Sequence, residues 1–174
     1  MTTTPVPEIP TRPMARVAKE LAESSAFLLA RLGAEIKTRA IARVAQEGYE
    51  LYDYSVLAIL AEGDRETQSA IAEALDLDPS RLVALLDSLE KRGLVVRQRD
   101  LQDRRRHVVS ITAAGKLEHG RLRELTKQVE AEFLAPLDPE SRKLFHQVLL
   151  ELAAHHDPRC VFDLPETPAS RPIS

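Results

Sequence analysis

Most of the chain places apolar residues every three or four positions, which is the spacing of amphipathic helices. The first such stretch runs from about residue 14 to residue 46, with Gly33 as its only weak point and Gly48 as a natural stop. It predicts one long helix or two helices with a bend. A second stretch, residues 50–62, has its own apolar stripe and is closed by Gly63. The first part of the chain is therefore predicted to be helical.

Two short helices are predicted next. Thr67 is a suitable N-cap for the first. The second begins at Asp78 and Pro79. The aspartate oxygen can accept from the free N–H groups of the first turn, and the N–H that proline lacks would have no helical partner at this position. Leucines at positions 82, 85, 86 and 89 form the inner stripe of this helix, and Gly93 ends it. Two capped helices joined by a short turn are typical of a helix-turn-helix.

The apolar spacing then changes from helical to alternating. Residues 94–99 and 107–111 are short runs rich in β-branched residues, and the polar segment between them suits the tip of a two-stranded hairpin. Thr112 and Asp138 are N-caps for two more helices, the second reaching about His156 with a stripe at positions 144, 148, 149 and 152. The predicted fold class is mainly α with a small β-hairpin wing.

Composition becomes informative only through the distribution of charge. The 174 residues include 24 Lys and Arg and 27 Asp and Glu, so the formal net charge of -3 does not indicate a nucleic-acid partner. Residues 91–107, however, hold seven basic against two acidic residues, a local charge of +5. An arginine-tipped hairpin suits a narrow minor groove, and the outward face of the preceding helix suits the major groove. The alternative is a winged helix whose basic hairpin binds an acidic protein.

The stretch from residue 68 to residue 115 resembles the MarR family of winged-helix transcription regulators. The resemblance rests on DPS at the start of the second helix, LVALLDSLEKRGLV through its end, DRR at the hairpin tip and SITAAG before the next helix. It implies a homodimer whose first and last helices interlock, with two winged lobes on a pseudo-palindromic double-stranded operator and recognition helices about 34 Å apart. Within one domain spanning 13–156, the dimerisation parts would be about 14–46 and 113–156, and the DNA-binding lobe about 50–112. Residues 1–12 and 157–174 are expected to be flexible tails.

The resemblance also implies individual DNA contacts. At the wing tip, Asp103 would pair with Arg105 and orient it into the minor groove, with Arg104 and Arg106 on phosphates. On the recognition helix, Arg81 would read a guanine edge, and Val83 and Ala84 would touch thymine methyl groups. Relatives often carry threonine or arginine at positions 83, 84 and 88, so this helix has fewer polar readers. The expected contacts are Ser80, Arg81, Val83, Ala84, Ser88, Arg97, Arg104, Arg105 and Arg106.

A small-molecule effector is implied in the same way. Relatives commonly bind phenolic or other aromatic acids between the dimer helices and the winged lobe, and the matching candidates here are Phe27, Arg31 and Tyr54, which His119 could join. Ordinary packing is the alternative for the two aromatic residues. The predicted function is a sequence-specific repressor of transcription relieved by such a ligand. A ligand-independent regulator, or one controlled by oxidation of Cys160, is the alternative.

Other classes of function find little support. The sequence has no glycine-rich phosphate loop and no GxSxG or HExxH motif, so neither catalysis nor a cofactor is expected. His155, His156 and Cys160 lack the spacing of a zinc site, so no metal is expected, and Cys160 is the single cysteine. With neither a signal peptide nor a membrane span apparent, the chain is expected to be cytoplasmic.

Overall fold

The computed structural model describes residues 16–99 and 107–160. Seven α-helices and three β-strands occupy these residues, and a 3₁₀ turn, Pro158–Cys160, follows the last helix. In chain order the elements are α1 (Lys19–Ala22), α2 (Ser25–Ala45), α3 (Leu51–Gly63), β1 (Arg65–Thr67), α4 (Gln68–Ala74), α5 (Pro79–Lys91), β2 (Val95–Arg99), β3 (His107–Ile111), α6 (Ala113–Phe133) and α7 (Pro139–His156). The described part is mainly helical with a small antiparallel sheet, which confirms the predicted fold class.

The first long helical stretch is divided near its start and not at Gly33. The break lies between α1 and α2, where the Ser24 hydroxyl oxygen accepts from the Phe27 N–H at 3.3 Å and caps α2. Gly33 lies inside α2, with open space around the position of an added Cβ. Gly48, with φ of +75°, occupies the connection to α3. The sequence allowed one long helix or two helices with a bend, and the structure has two helices.

Helix α3 continues through Gly63, and the left-handed residue that ends it is Asp64, with φ of 61°. The prediction of Gly63 as the stop is therefore wrong by one position. At the start of α3, the buried Asp53 carboxylate accepts from the Glu50 N–H at 2.8 Å, while its other oxygen has no hydrogen-bond partner among the described residues. Burial is the main reason that the pKa of Asp53 is raised.

The two helices of the predicted helix-turn-helix, α4 and α5, are confirmed. The Thr67 hydroxyl oxygen accepts from the Ala70 N–H at 3.2 Å, and Asp78 Oδ1 accepts from the Ser80 N–H at 2.8 Å. Both caps are local side-chain bonds to the first turn of a helix. The four stripe leucines of α5, Leu82, Leu85, Leu86 and Leu89, are buried.

The sheet has the order β1-β3-β2, with antiparallel pairing throughout. The β2–β3 ribbon is the predicted hairpin, in which Arg97 lies opposite Val109. Strand β1 was not predicted. It pairs with β3 with Glu66 opposite the same Val109, so β3 is the central strand of the sheet.

The core lies inside the winged lobe, where α3, α4, α5 and the sheet meet α6. Its fully buried members include Leu57, Leu60, Ile71, Leu86, Val109 and Leu122. Thr112 secures the start of α6: its hydroxyl oxygen accepts from the Gly115 N–H at 3.0 Å, and its O–H donates to the backbone oxygen of Gly93 at 2.8 Å. One side chain thus connects the exit of α5 to the entry of α6.

Beyond the lobe, α7 begins as predicted. Asp138 Oδ1 accepts from the N–H groups of Glu140 and Ser141, each at 3.0 Å. The predicted stripe of α7 is, however, left largely uncovered by the described residues: Leu144, Val148 and Leu152 are 62%, 44% and 46% exposed. A 3₁₀ turn, Pro158–Cys160, begins the segment expected to be a tail, and residues 161–174 lie outside the described residues.

Within the described ranges, no helix combines the length and apolar character needed to cross a bilayer.

Candidate nucleic-acid interface

The outer face of α5 presents a short side-chain surface to solvent. The predicted readers Ser80, Arg81, Val83, Ala84 and Ser88 are all exposed, on the side opposite the buried leucines. The Ser80 hydroxyl donates to Asp78 and so belongs to the helix cap as well. The guanidinium of Arg81 lies 4.6 Å from the ring centroid of Tyr52 on α3, a cation–π contact that holds its planar group beside the helix.

Arg97 is the predicted DNA contact that the structure places elsewhere. Its Nε and Nη2 donate to Glu90 Oε2 at 3.0 and 2.6 Å, and its backbone N–H donates to Glu90 Oε1 at 2.9 Å. Nη2 also pairs with Asp87 at 2.5 Å, and only 23% of the Arg97 side chain is exposed. The bonds to Glu90 are the main cause of a raised pKa for Arg97, and those from Arg97 lower the pKa of Glu90. Arg97 therefore fastens strand β2 to α5, and its predicted contact with DNA stays a prediction.

The four predicted wing-tip residues, Asp103, Arg104, Arg105 and Arg106, lie outside the described residues. The strands that lead to this segment end at Arg99 and begin again at His107, both of which are exposed. The base of the wing is thus positioned against α5 by Glu90 and Arg97, and its flanking residues face solvent.

A polar network that the sequence did not reveal holds the C-terminal end of α5 on a second side. Arg92, just after the helix, lies 3.5 Å from the centroid of the Tyr49 ring and donates to the Gly48 carbonyl oxygen at 3.0 Å. The pKa of Tyr49 is raised, chiefly by burial and then by the neighbouring Glu118 carboxylate on α6. Glu118 in turn accepts from Arg121 at 2.7 Å. The recognition helix is therefore connected at its C-terminal end to the α2–α3 connection and to α6.

The predicted effector residues are only partly brought together. Tyr54 is half-buried against the core and stacks on His119, with ring centroids 5.8 Å apart and planes 13° from parallel. Burial is the main cause of a lowered pKa for His119. On α2, Phe27 is half-buried and Arg31 is exposed. The packing interpretation fits Tyr54 better than an open aromatic pocket does.

An apolar cavity lies elsewhere, between α2, α6 and α7. It is a groove of about 600 Å³, and its walls include Leu28, Leu32, Ile36, Phe133, Val148 and Leu152. Neither Phe27 nor Arg31 lines it. The groove continues the exposed apolar stripe of α7, so these helices form one apolar face that the described residues leave open to solvent.

Two adjacent histidines lie at the end of α7. The His155 and His156 rings meet edge to face, with centroids 4.9 Å apart. Over residues 16–99 and 107–160, no three His, Cys, Asp or Glu side chains are grouped so that they could hold a metal ion.

A capped helix pair followed by a ribbon clamped to its second helix defines the class of winged helix-turn-helix proteins. A sequence model of the MarR family matches residues 51–107. The chain is 32% identical over 99 residues to the transcriptional regulator HosA of Escherichia coli, covering 57% of this chain and 73% of HosA. It is 33% identical over 89 residues to a putative transcriptional regulatory protein for the hcr operon of Thauera aromatica, covering 51% of this chain and 54% of that protein. The chain belongs to the MarR family.

Solved structures agree with this assignment. The transcriptional repressor CouR bound to a 23-mer DNA duplex superposes with a TM-score of 0.70 at 28% identity, over 80% of this chain and 99% of CouR. CouR of Rhodococcus jostii bound to p-coumaroyl-CoA superposes with a TM-score of 0.68 at 27% identity, over 81% and 97% of the two chains. The likeness therefore extends beyond the winged lobe to the surrounding helices.

Proposed function

We propose that this protein is a sequence-specific regulator of transcription that binds double-stranded DNA. The observation that carries the proposal is the recognition helix α5: its leucine face is buried, its opposite face is exposed, and a basic ribbon is fixed beside it by the contact between Arg97 and Glu90. A major groove about 12 Å wide accommodates one such helix. The solved complex of CouR with duplex DNA supports this mode of binding.

The readers on α5 have distinct proposed roles. Arg81 forms a bidentate contact with a guanine edge, and its stacking on Tyr52 limits the rotamer freedom lost on binding. Val83 and Ala84 contact thymine methyl groups. The segment outside the described residues supplies the minor-groove contact through Arg105, oriented by Asp103, while Arg104 and Arg106 bind phosphates.

The active form is proposed to be a homodimer. The apolar face of α2, α6 and α7 is too extensive for a helix surface that remains in water, since Leu29 and Leu32 on α2 are 52% and 47% exposed and the α7 stripe lies beside them. A second copy of the chain covers this face by presenting the same surface in return. The two lobes then bind the half-sites of a pseudo-palindromic operator about 34 Å apart.

Repression relieved by a small ligand is the proposed mode of regulation, in the cytoplasm. It is supported by CouR, which has been solved both with a DNA duplex and with p-coumaroyl-CoA. A ligand of the aromatic-acid class remains the proposal for this chain. The alternative of oxidative control depends on Cys160, whose thiol is half-buried in the turn after α7.

Selection of bound sequences from a random duplex pool tests the function directly, and repeating the selection with aromatic acids present tests the ligand. We expect enrichment of a two-fold symmetric site whose log affinity falls linearly with log salt, by about 0.9 per phosphate contact. Binding without any duplex preference would instead support the protein-binding winged helix.

Arg81→Ala tests the recognition helix on the selected site. It should cost about 1–3 kcal/mol at one base position in each half-site. The control is Lys19→Ala, which removes a cation whose side chain is 90% exposed on α1 and should leave sequence preference unchanged. Equal losses on all sequences would make Arg81 a phosphate contact and not a reader.

A further inference from the structure

The turn that follows α7 is attached to the helix-turn-helix by a single guanidinium. Arg159 Nη1 donates to the backbone oxygen of Glu73 at 2.8 Å, across 86 residues of sequence. Arg159 is itself held by Asp157, whose Oδ1 accepts from Nε and whose Oδ2 accepts from Nη2, both at 2.8 Å. The backbone N–H of Arg159 also donates to Asp157 Oδ1 at 3.0 Å. The two parallel bonds to Asp157 fix the plane of the guanidinium, so Nη1 is oriented towards Glu73 before contact is made.

The acceptor of this bond lies at the C-terminal end of α4. Carbonyl groups in the last turn of a helix lack helical partners and carry the negative end of the helix dipole, which favours a cation there. The same Glu73 oxygen accepts from the Asp76 N–H at 3.2 Å, and Asp76 has the left-handed φ of 50°. These residues begin the turn that joins α4 to α5. Arg159 therefore binds the turn that determines the orientation of the recognition helix α5 relative to α4.

The other side of the contact belongs to the helices proposed to dimerise. Arg159 follows the last residue of α7, His156, by three positions, and the Cys160 N–H closes the turn by donating to Asp157 O at 2.9 Å. Helix α7 contributes Phe145, Val148 and Leu152 to the apolar face. A short, internally bonded turn thus connects the dimerisation region directly to the reading lobe, which is the winged lobe that carries the helix-turn-helix.

We propose that Arg159 is a positioning residue that acts together with the packing of α6 to fix the orientation of each reading lobe relative to the dimer helices, and that it thereby narrows the range of half-site spacings the protein accepts. The inference rests on the proposed DNA-binding dimer and adds to it a residue that determines operator geometry without touching DNA. Each base pair inserted between half-sites moves one lobe about 3.4 Å along the duplex and rotates it around the axis. A lobe held at the turn of its helix-turn-helix rejects such a shift, whereas a loosely attached lobe tolerates it.

The experiment compares Arg159→Ala with the wild-type protein on duplexes that carry the selected half-sites at centre-to-centre spacings around the 10–10.5 base pairs of about one helical turn. We expect wild-type affinity to peak sharply at one spacing. In Arg159→Ala the ratio of the affinity at that spacing to the affinity at the neighbouring spacings should fall by about fivefold or more. Fivefold is the low end of the range for energetic coupling between distant sites. Affinity at the neighbouring spacings and the thermal midpoint should remain close to wild type.

The matched control is Arg142→Ala. Arg142 also donates to backbone oxygens, those of Leu137 at 2.9 Å and Ala135 at 3.4 Å, but both belong to the connection between α6 and α7. Removing it should leave the spacing profile intact, because the contacts of Arg142 do not reach the reading lobe.

A second measurement needs no DNA. Spin labels introduced at Lys91→Cys, in a Cys160→Ser background, report the distance between the two lobes of one dimer. Arg159→Ala should broaden that distance distribution. The proposal is overturned if Arg159→Ala changes neither the distance distribution nor the dependence of affinity on half-site spacing. It is also overturned if the variant loses affinity equally at every spacing and has a lower thermal midpoint. Sedimentation and duplex binding of the wild-type protein test the dimer and its function separately, so failure of those is distinguishable from failure of the role of Arg159.

Discussion

Replacing Gly115 with alanine should disturb the junction between α6 and the wing. A Cβ at this position would lie 2.1 Å from the Leu94 carbonyl oxygen and 2.8 Å from Ile111 Cγ1. The first obstacle is backbone, so it cannot be relieved by a change of rotamer. Carbon and oxygen atoms approach no closer than about 3.3 Å in ordinary contacts, and α6 must therefore retreat from Leu94 by about 1 Å. Leu94 O also accepts from the Thr112 N–H at 3.0 Å, a bond that the retreat would lengthen.

The expected free-energy change follows from two opposing effects. Overpacking of a closely packed site costs about 1–3 kcal/mol, and the backbone contact favours the upper value. Gly115 is the third residue of α6, in its first turn, so alanine recovers at most the roughly 1 kcal/mol that it gains over glycine in a helix interior. Gly115→Ala should then lower the free energy of unfolding by about 2 kcal/mol, which corresponds to a thermal midpoint about 4–8 °C lower for a chain of this size.

Gly120 supplies the control within the same helix. It is exposed, and an added Cβ would meet no atom within 4 Å. Gly120→Ala should therefore raise the free energy of unfolding by up to about 1 kcal/mol. Urea unfolding of both variants at one protein concentration measures the difference. Equal stabilisation by the two substitutions would refute the close approach of α6 to Leu94 and, with it, the proposed packing of the wing base.

Three further predictions concern the interface and its surroundings. Arg97→Ala should weaken duplex binding, and Glu90→Ala should weaken it less because Asp87 still pairs with Arg97. The double variant should be no worse than Arg97→Ala alone; additive losses would instead show that Arg97 binds DNA by itself. The pKa of His119 is lowered in the folded state, so the unfolded state binds the proton more readily. The free energy of unfolding should therefore fall as the pH drops below about 6.5, the ordinary pKa of histidine. His119→Gln should flatten this pH dependence, measured by urea unfolding at a series of pH values. Cys160→Ser should leave the ligand response and DNA binding of a ligand-controlled repressor unchanged; loss of a peroxide response in duplex binding would favour the redox-controlled alternative.

The elements that were predictable from sequence are those whose determinants are local. The caps at Thr67, Asp78 and Thr112 bond to backbone groups two or three residues away, so the residue type and its position suffice to place a helix start. The leucine stripe of α5 predicted its buried face for the same reason. The outward face of the recognition helix could then be assigned by exclusion.

The features that were missed depend on partners far along the chain. Strand β1 has three residues and reads as a polar connection, and its extended form comes from pairing with β3. The charge of Arg97 indicated a nucleic-acid contact, but whether a guanidinium faces DNA or a carboxylate depends on how β2 packs on α5. Similarly, the helix break at Ser24 could not be told from the weak point at Gly33, because a glycine inside a helix is tolerated at a cost of about 1 kcal/mol.

The small strand β1 has a consequence for how the wing opens. An isolated two-stranded ribbon is only marginally stable in water, but here the central strand β3 is hydrogen-bonded on both sides. Thr67 ends β1 and also caps α4, so separating β1 from β3 must loosen the first helix of the reading lobe as well. The base of the wing and the N-terminal turn of α4 therefore form one cooperative opening unit, and their amide protons should exchange with solvent at a common rate.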